Sequence, residues 1–254
     1  MASSKRSTLI IFPPSSGCEV ADWLCERYGI KVRVKRHSVP FFQIAINLAG
    51  GFDYPFLNYQ GQKLSSSRAL VNAMEGLLPT DKQLPPPDPA DRPTAAALWN
   101  DVINPKLAFA VSRWAYRFLL PEKSLTYGPI THGTPGWQRA FVWLTYPLMA
   151  KLVGASLGLD KNPASAMEAM IREAYDAVDD RLRGGAPYLF GERPCYVDYG
   201  FAGLAAPTVL ESRYGGGGLL PNLQDAPTAM HTLVEELRER PGGQLIDRMY
   251  GRFR

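Results

Sequence analysis

The sequence predicts an α/β domain over residues 1–82, a proline-rich linker over 83–92 and an all-helical domain over 93–254. Three observations carry this. The first block alternates strand-type and helix-type patterns. Leu84-Pro85-Pro86-Pro87-Asp88-Pro89 is an extended, semi-rigid spacer. Beyond it the apolar runs follow the helical period. With 254 residues, 46% hydrophobic and 20% charged, the composition is that of a globular protein whose two units can each bury a core.

In the first block, Ser7 to Phe12 is a β-type run that breaks at Pro13-Pro14 into Ser15-Ser16-Gly17-Cys18. A helix follows, with Val20, Trp23, Leu24, Arg27 and Tyr28 at helical spacing and Gly29 to stop it. Lys31 to His37 alternates charge with valine, the period of a strand with one buried face. The lysines and arginine on it suit an edge strand, where charge blocks pairing with other sheets. Phe41 to Leu48 is a short apolar element. Phe56 to Tyr59, Gln60-Gly61-Gln62 and Lys63-Leu64 read as a hairpin around a glycine turn. Ser66 or Ser67 then caps a helix reaching Met74.

In the second block Asp91-Arg92-Pro93 opens a helix that Pro105 kinks. Ala140 to Leu159 is apolar except for Lys151 and reads as a buried helical segment, because a membrane span of about 20 residues does not carry a central Lys and Pro. Pro163 opens another helix with Met167, Met170, Ile171, Ala174, Val178 and Leu182 on its apolar face. A late helix shows Met230, Leu233, Val234 and Leu237 and closes at Pro241.

Net charge is +4; residues 1–80 carry nine Lys/Arg against five Asp/Glu, and the remainder nineteen of each. That excess comes without interleaved aromatics, so nucleic acid is not an expected partner. Cys18, Cys25 and Cys195 make no disulfide framework and fit a reducing, cytoplasmic setting. Cys18 and Cys25 lie roughly 10 Å apart along one helix and cannot bridge. Lys5-Arg6 precedes too short an apolar stretch for a secretory signal. His37, His132 and His231 lack partners at ligand spacing, so no metal site is expected.

Order and spacing together resemble the glutathione S-transferase family, cytosolic type. The strand-to-helix loop with Ser15, the Gly29-Ile30 pair that ends the helix, and Tyr54-Pro55 at the place of the family's cis-proline form the first part of the match. Leu64-Ser65-Ser66-Ser67-Arg68-Ala69-Leu70 fits the family's Leu-x-x-Ser-x-Ala-Ile, with Ser66 in place of Glu or Gln. Tyr188 to Asp198 resembles the Leu-x-Gly-Asp-x-x-Ser-x-Ala-Asp segment, with Cys195 for the capping Ser, and Arg240-Pro241 matches the end of the last shared helix. Residues 121–160 have no counterpart. The resemblance implies a thioredoxin-like first domain that binds glutathione as co-substrate, and a helical second domain that takes a hydrophobic electrophile. It also implies a homodimer as a frequent assembly; a membrane is not an expected partner.

On that reading Ser15 contacts the glutathione sulfur, and its hydroxyl together with a helix N-terminus favours the thiolate. The alternative is that Ser15 only caps the helix. Cys18, in Ser-x-x-Cys spacing, is a second candidate nucleophile for a glutathione-linked reductase or thiol transferase, against a packing role. Tyr54 would offer its main chain to the cysteinyl part, with Pro55 cis. Ser66 and Ser67 would hold the γ-glutamyl carboxylate or simply cap a helix. Trp114 and Tyr116 are the candidates for a substrate pocket facing Ser15. Conjugation of glutathione to an apolar electrophile is the leading expectation, and a non-catalytic ligand-binding or interaction protein is a third reading.

Overall fold

A computed structural model describes residues 7–254, so Lys5-Arg6 lies outside the described residues. Four strands, β1 (Ser7–Ile11), β2 (Val32–Arg36), β3 (Phe56–Tyr59) and β4 (Gln62–Ser65), form one sheet in the order β2-β1-β3-β4. β1 and β2 are parallel, and the other pairs antiparallel. The parallel pair needs a crossover, which α1 (Ser16–Arg27) supplies. Its buried side chains Val20, Trp23 and Leu24 fall on one face, and Gly29 ends it at φ +67°. β2 is an edge strand with Arg33 and Lys35 exposed and Val32 and Val34 half-buried. Gln60 and Gly61, both at positive φ, make the two-residue turn between β3 and β4. The short apolar element is a helix, α2 (Phe41–Leu48), and α3 (Ser67–Leu77) follows β4.

The linker is held from both sides. Leu84 donates its N–H to Glu75 Oε1 at 3.0 Å and accepts the Tyr196 N–H at 2.8 Å. Beyond it α4 (Arg92–Ala97) runs through a wide-turned stretch, Leu98–Leu107, into α5 (Ala108–Leu119). The kink is at Asn104 (φ −129°, ψ 100°), since the residue before a proline is pushed out of the helical region. The remaining long elements are α6 (Lys123–Ile130), α7 (Gly136–Ser156), α8 (Ala164–Leu182), α9 (Tyr196–Val209), α10 (His231–Glu239) and α11 (Pro241–Phe253). α11 is not expected from the sequence. Pro241, which closes α10, also sits in the first turn of α11, where a missing N–H costs nothing.

All fourteen residues of α9 are buried, which makes it the axis of the molecule. It meets α1 at Gly203, where an added β-carbon would lie 2.6 Å from Val20 Cγ2. Asp198 fixes its start, accepting the N–H groups of Leu189 and Cys195 at 2.8 Å each. Burial raises the Asp198 carboxyl to about 6, against the lowering effect of those bonds. The C-terminus also packs on α1: Arg254 reaches Glu19 Oε1 and Oε2 at 3.0 Å each, and Trp23 Nε1 donates to the Phe253 carbonyl at 3.0 Å.

The expectation of a buried segment over 140–159 is corrected. Only one side of α7, with Gln138, Val142, Tyr146 and Met149, is covered. The other side leaves Leu144 71% and Leu148 57% exposed. An apolar sequence marks burial only where neighbours exist on all sides, and α7 has them on one.

Asp198→Ala should leave two buried N–H groups unpaired, at about 1–3 kcal/mol each, read by urea denaturation. Because the folded carboxyl lies above its unfolded value, its contribution is present at low pH and lost as pH rises through about 6. The stability gap between wild type and variant should therefore be wider at low pH than at neutral pH. Gly203→Val should cost about 1–3 kcal/mol by overpacking the contact between α1 and α9.

Candidate active site

The turn after β1 brings the first site group into place. Ser15 donates its N–H to the Phe12 carbonyl at 3.1 Å, and its Oγ accepts the Cys18 N–H at 3.4 Å, so it caps α1. Across from it, the Tyr54–Pro55 bond is cis, and the Pro55 carbonyl accepts the Ser66 N–H at 2.9 Å. Gly17 is where these segments close on one another. A β-carbon there would lie 3.4 Å from Ser67 Oγ, 3.6 Å from Pro55 Cδ and 3.8 Å from Ser15 Oγ. Ser15, Pro55 and Ser67 are thus neighbours, although distant in the chain.

Ser66 caps α3, with its Oγ accepting the Ala69 N–H at 3.3 Å. Its φ is +77°, a region a non-glycine residue occupies only when its surroundings impose it, and such residues concentrate at functional sites. Ser67 is buried, and its Oγ accepts from Asn104 Nδ2 at 2.9 Å. Asn104 was not singled out by sequence; its signal is a buried amide at a proline kink. Tyr54 already has its main-chain N–H paired with Asp53 Oδ1 at 2.8 Å. Its ring packs edge-on against Phe42 at 4.8 Å and Phe12 at 6.4 Å, and burial raises its hydroxyl to about 12.

These aromatics wall a cleft of about 100 Å³ between the domains. Ser15, Phe12 and Tyr54 line one side, and Ser112 and Tyr116 of α5 with Val153 and Leu157 from the end of the α6–α7 insertion line the other. At that volume the cleft accommodates the reacting end of a ligand rather than a whole tripeptide; drug-sized ligands occupy roughly 300 Å³ or more. The Tyr116 hydroxyl is buried with no hydrogen-bond partner, and burial carries it well above the usual phenol range. Tyr116 lines the cleft, and its unpaired hydroxyl, closed off from solvent, is a buried polar group in need of an acceptor.

Two sequence-predicted residues fall outside this picture. Trp114 is fully buried in the helical core, its Nε1 donating to Glu168 at 3.3 Å, and it does not line the cleft. Residues two apart on a helix point about 200° apart, so Trp114 and Tyr116 could not both face Ser15. Cys18 is also corrected as a nucleophile. It is fully buried, its sulfur accepts the Phe12 N–H at 3.4 Å, and burial pushes the thiol up to about 12. A thiol so placed packs α1 onto the sheet.

A larger, open groove of about 1010 Å³ lies between residues 209–213 and 238–248, but its Arg213 is occupied by Glu211 and Asp247. Among the described residues no cluster of His, Cys, Asp or Glu could hold a metal ion.

No protein-family model and no curated protein matches this sequence. Solved structures do match. A glutathione S-transferase from Ceriporiopsis subvermispora, in complex with glutathione, aligns with TM-score 0.58 at 10% identity over 99% of this chain and 100% of its own. The transferase GSTFuA3 from Phanerochaete chrysosporium aligns with TM-score 0.58 at 11% identity over 99% and 98%. The beta-etherase LigF from a Sphingobium strain aligns with TM-score 0.55 at 14% identity over 95% and 99%. With its mixed four-stranded sheet, cis Tyr54–Pro55 and helical second domain, the chain has the glutathione S-transferase fold.

Proposed function

We propose that this protein transfers the thiolate of glutathione to an apolar electrophile in the cleft between its domains. The convergence of Ser15, Pro55 and Ser67 around Gly17, at the N-terminus of α1, carries the reading. Glutathione supplies a thiol whose free pKa is about 8.5. The Ser15 hydroxyl donates toward the sulfur, and the dipole of α1 favours the anion there. Its Oγ can do this while accepting the Cys18 N–H, because a hydroxyl both donates and accepts. Ser66 Oγ and the first turn of α3 suit the γ-glutamyl carboxylate, with Asn104 holding Ser67 in register. As sulfur bonds to the electrophilic carbon, the leaving group departs with the bonding pair, and the Tyr116 hydroxyl donates to the atom that takes on charge.

A second reading has one observation in its favour. The Tyr54 N–H, which would pair with the cysteinyl part, is already bonded to Asp53. A protein that binds an apolar ligand without turnover would keep that bond. Retention on immobilised glutathione with turnover of an aryl halide supports transfer. Failure of both, with binding of a hydrophobic dye in the cleft, supports the second reading. Burial of Cys18 weighs against thiol exchange through it.

Ser15→Ala should lower turnover by about 10²-fold and raise the apparent pKa of the pH–rate profile, while costing about 1 kcal/mol of stability as a lost cap. Ser15→Thr should restore the profile. A variant that loses only stability makes Ser15 a cap alone. Tyr116→Phe should lower kcat for an oxygen-bearing electrophile by about tenfold or more and leave the KM for glutathione unchanged.

A further inference from the structure

Much of the outer side of α7 is uncovered among the described residues, although Phe141 packs against Phe41 at 5.1 Å and the Lys123 ammonium lies 4.8 Å from the Trp143 ring. At 100° per residue, the exposed positions of α7 between 140 and 155 spread over about half the helix circumference. Phe141, Trp143, Leu144, Leu148 and Leu152 fill this arc, 39%, 57%, 71%, 57% and 52% exposed, with Lys151 the one charged side chain among them. Trp137, 60% exposed, extends the face and stacks edge-on against Phe41 at 4.6 Å. From Lys123 to Leu159 the chain holds Lys123, Arg139 and Lys151 and no Asp or Glu. The neighbouring edge strand adds exposed Arg33 and Lys35, and its end is joined to α7 through Gln138, which accepts the Ser38 N–H at 3.0 Å.

We propose that this face docks the protein onto an anionic lipid surface, with α7 lying in the plane of the headgroups. Charge complementarity and shape decide the occupant. An apolar arc with Lys151 inside it, Trp143 at its edge and no acid on α7 itself matches a surface of phosphates over acyl chains. A second copy would set the α7 cations against one another with no acid on that helix to oppose them, and a two-helix seam needs only a narrow stripe rather than half a circumference. The helix lies on the surface and does not cross it: among the described residues none is long and apolar enough to span. α7 ends in Val153 and Ser156 on the cleft wall, so docking brings the cleft within one helix length of the bilayer. Docking requires nothing of the chemistry in the cleft.

The test is co-sedimentation of the full chain with vesicles of phosphatidylcholine containing phosphatidylglycerol, against phosphatidylcholine alone. The expected result is pelleting with the anionic vesicles, weakened by salt, with a blue shift of tryptophan emission. Leu144→Asp with Leu148→Asp should abolish it, and Lys151→Glu should weaken it on the order of tenfold, both with the wild-type melting temperature. Equal pelleting with both vesicle types, none with either, or binding untouched by the variants overturns the proposal. So does a wild-type dimer that the double Asp variant converts to monomer, which would give the face to a second copy.

Discussion

The close contact between α1 and α9 is the constraint on which the molecule turns. α1 carries Ser15 and the mouth of the candidate site at its N-terminus, and α9 is the buried axis of the helical domain. They approach closely because Gly203 presents no side chain to Val20. Arg254 then clasps Glu19, beside Val20 on α1, a buried carboxylate raised by desolvation and drawn back down by the guanidinium. Such a pair costs much to break with one partner left behind, whatever its net worth intact. Ser15 is therefore positioned by the second domain as well as by the sheet.

The polar groups around the site are bound to one another to an unusual degree. Asn104 spans from the helical domain to Ser67, Asp53 occupies the Tyr54 N–H, and Pro55 holds Ser66 at positive φ. Preorganisation of this kind lowers the entropy lost when a ligand is fixed. It also sets a threshold, because a ligand must offer bonds better than those it displaces. Of the residues that line the cleft, Tyr116 alone has, among the described residues, a buried hydroxyl without a partner.

Local rules made much of this legible in the sequence. Gly29 stops α1, Gln60-Gly61 turns the hairpin and a serine at 66 or 67 caps α3, because each depends on neighbours within a few residues. The order of those signals exposed the fold. What stayed hidden depends on distant neighbours. Trp114 and Tyr116 look alike as aromatics, and only the direction of each on α5 separates core from cleft. Cys18 has the spacing of a reactive thiol, but it is fully buried, which spacing does not encode, and burial raises its thiol. The apolar run of α7 records hydrophobicity without saying which of its sides is covered. The Asn104–Ser67 bond joins residues 37 apart, beyond the reach of any local pattern.

The two hydrogen bonds on Leu84 bear on how the cleft can respond to a ligand. A proline-rich connector left free would act as a spacer about which two bodies swing. Here its Leu84 is riveted to α3 through Glu75 and to α9 through the Tyr196 N–H. These bonds tie the connector to both domains and oppose a swing that would widen the gap between them. Adjustment to ligands of different girth falls to side chains at its rim, such as Leu157 and Phe42. Selection by such a device works as a gauge: it rejects by size before any bond is made.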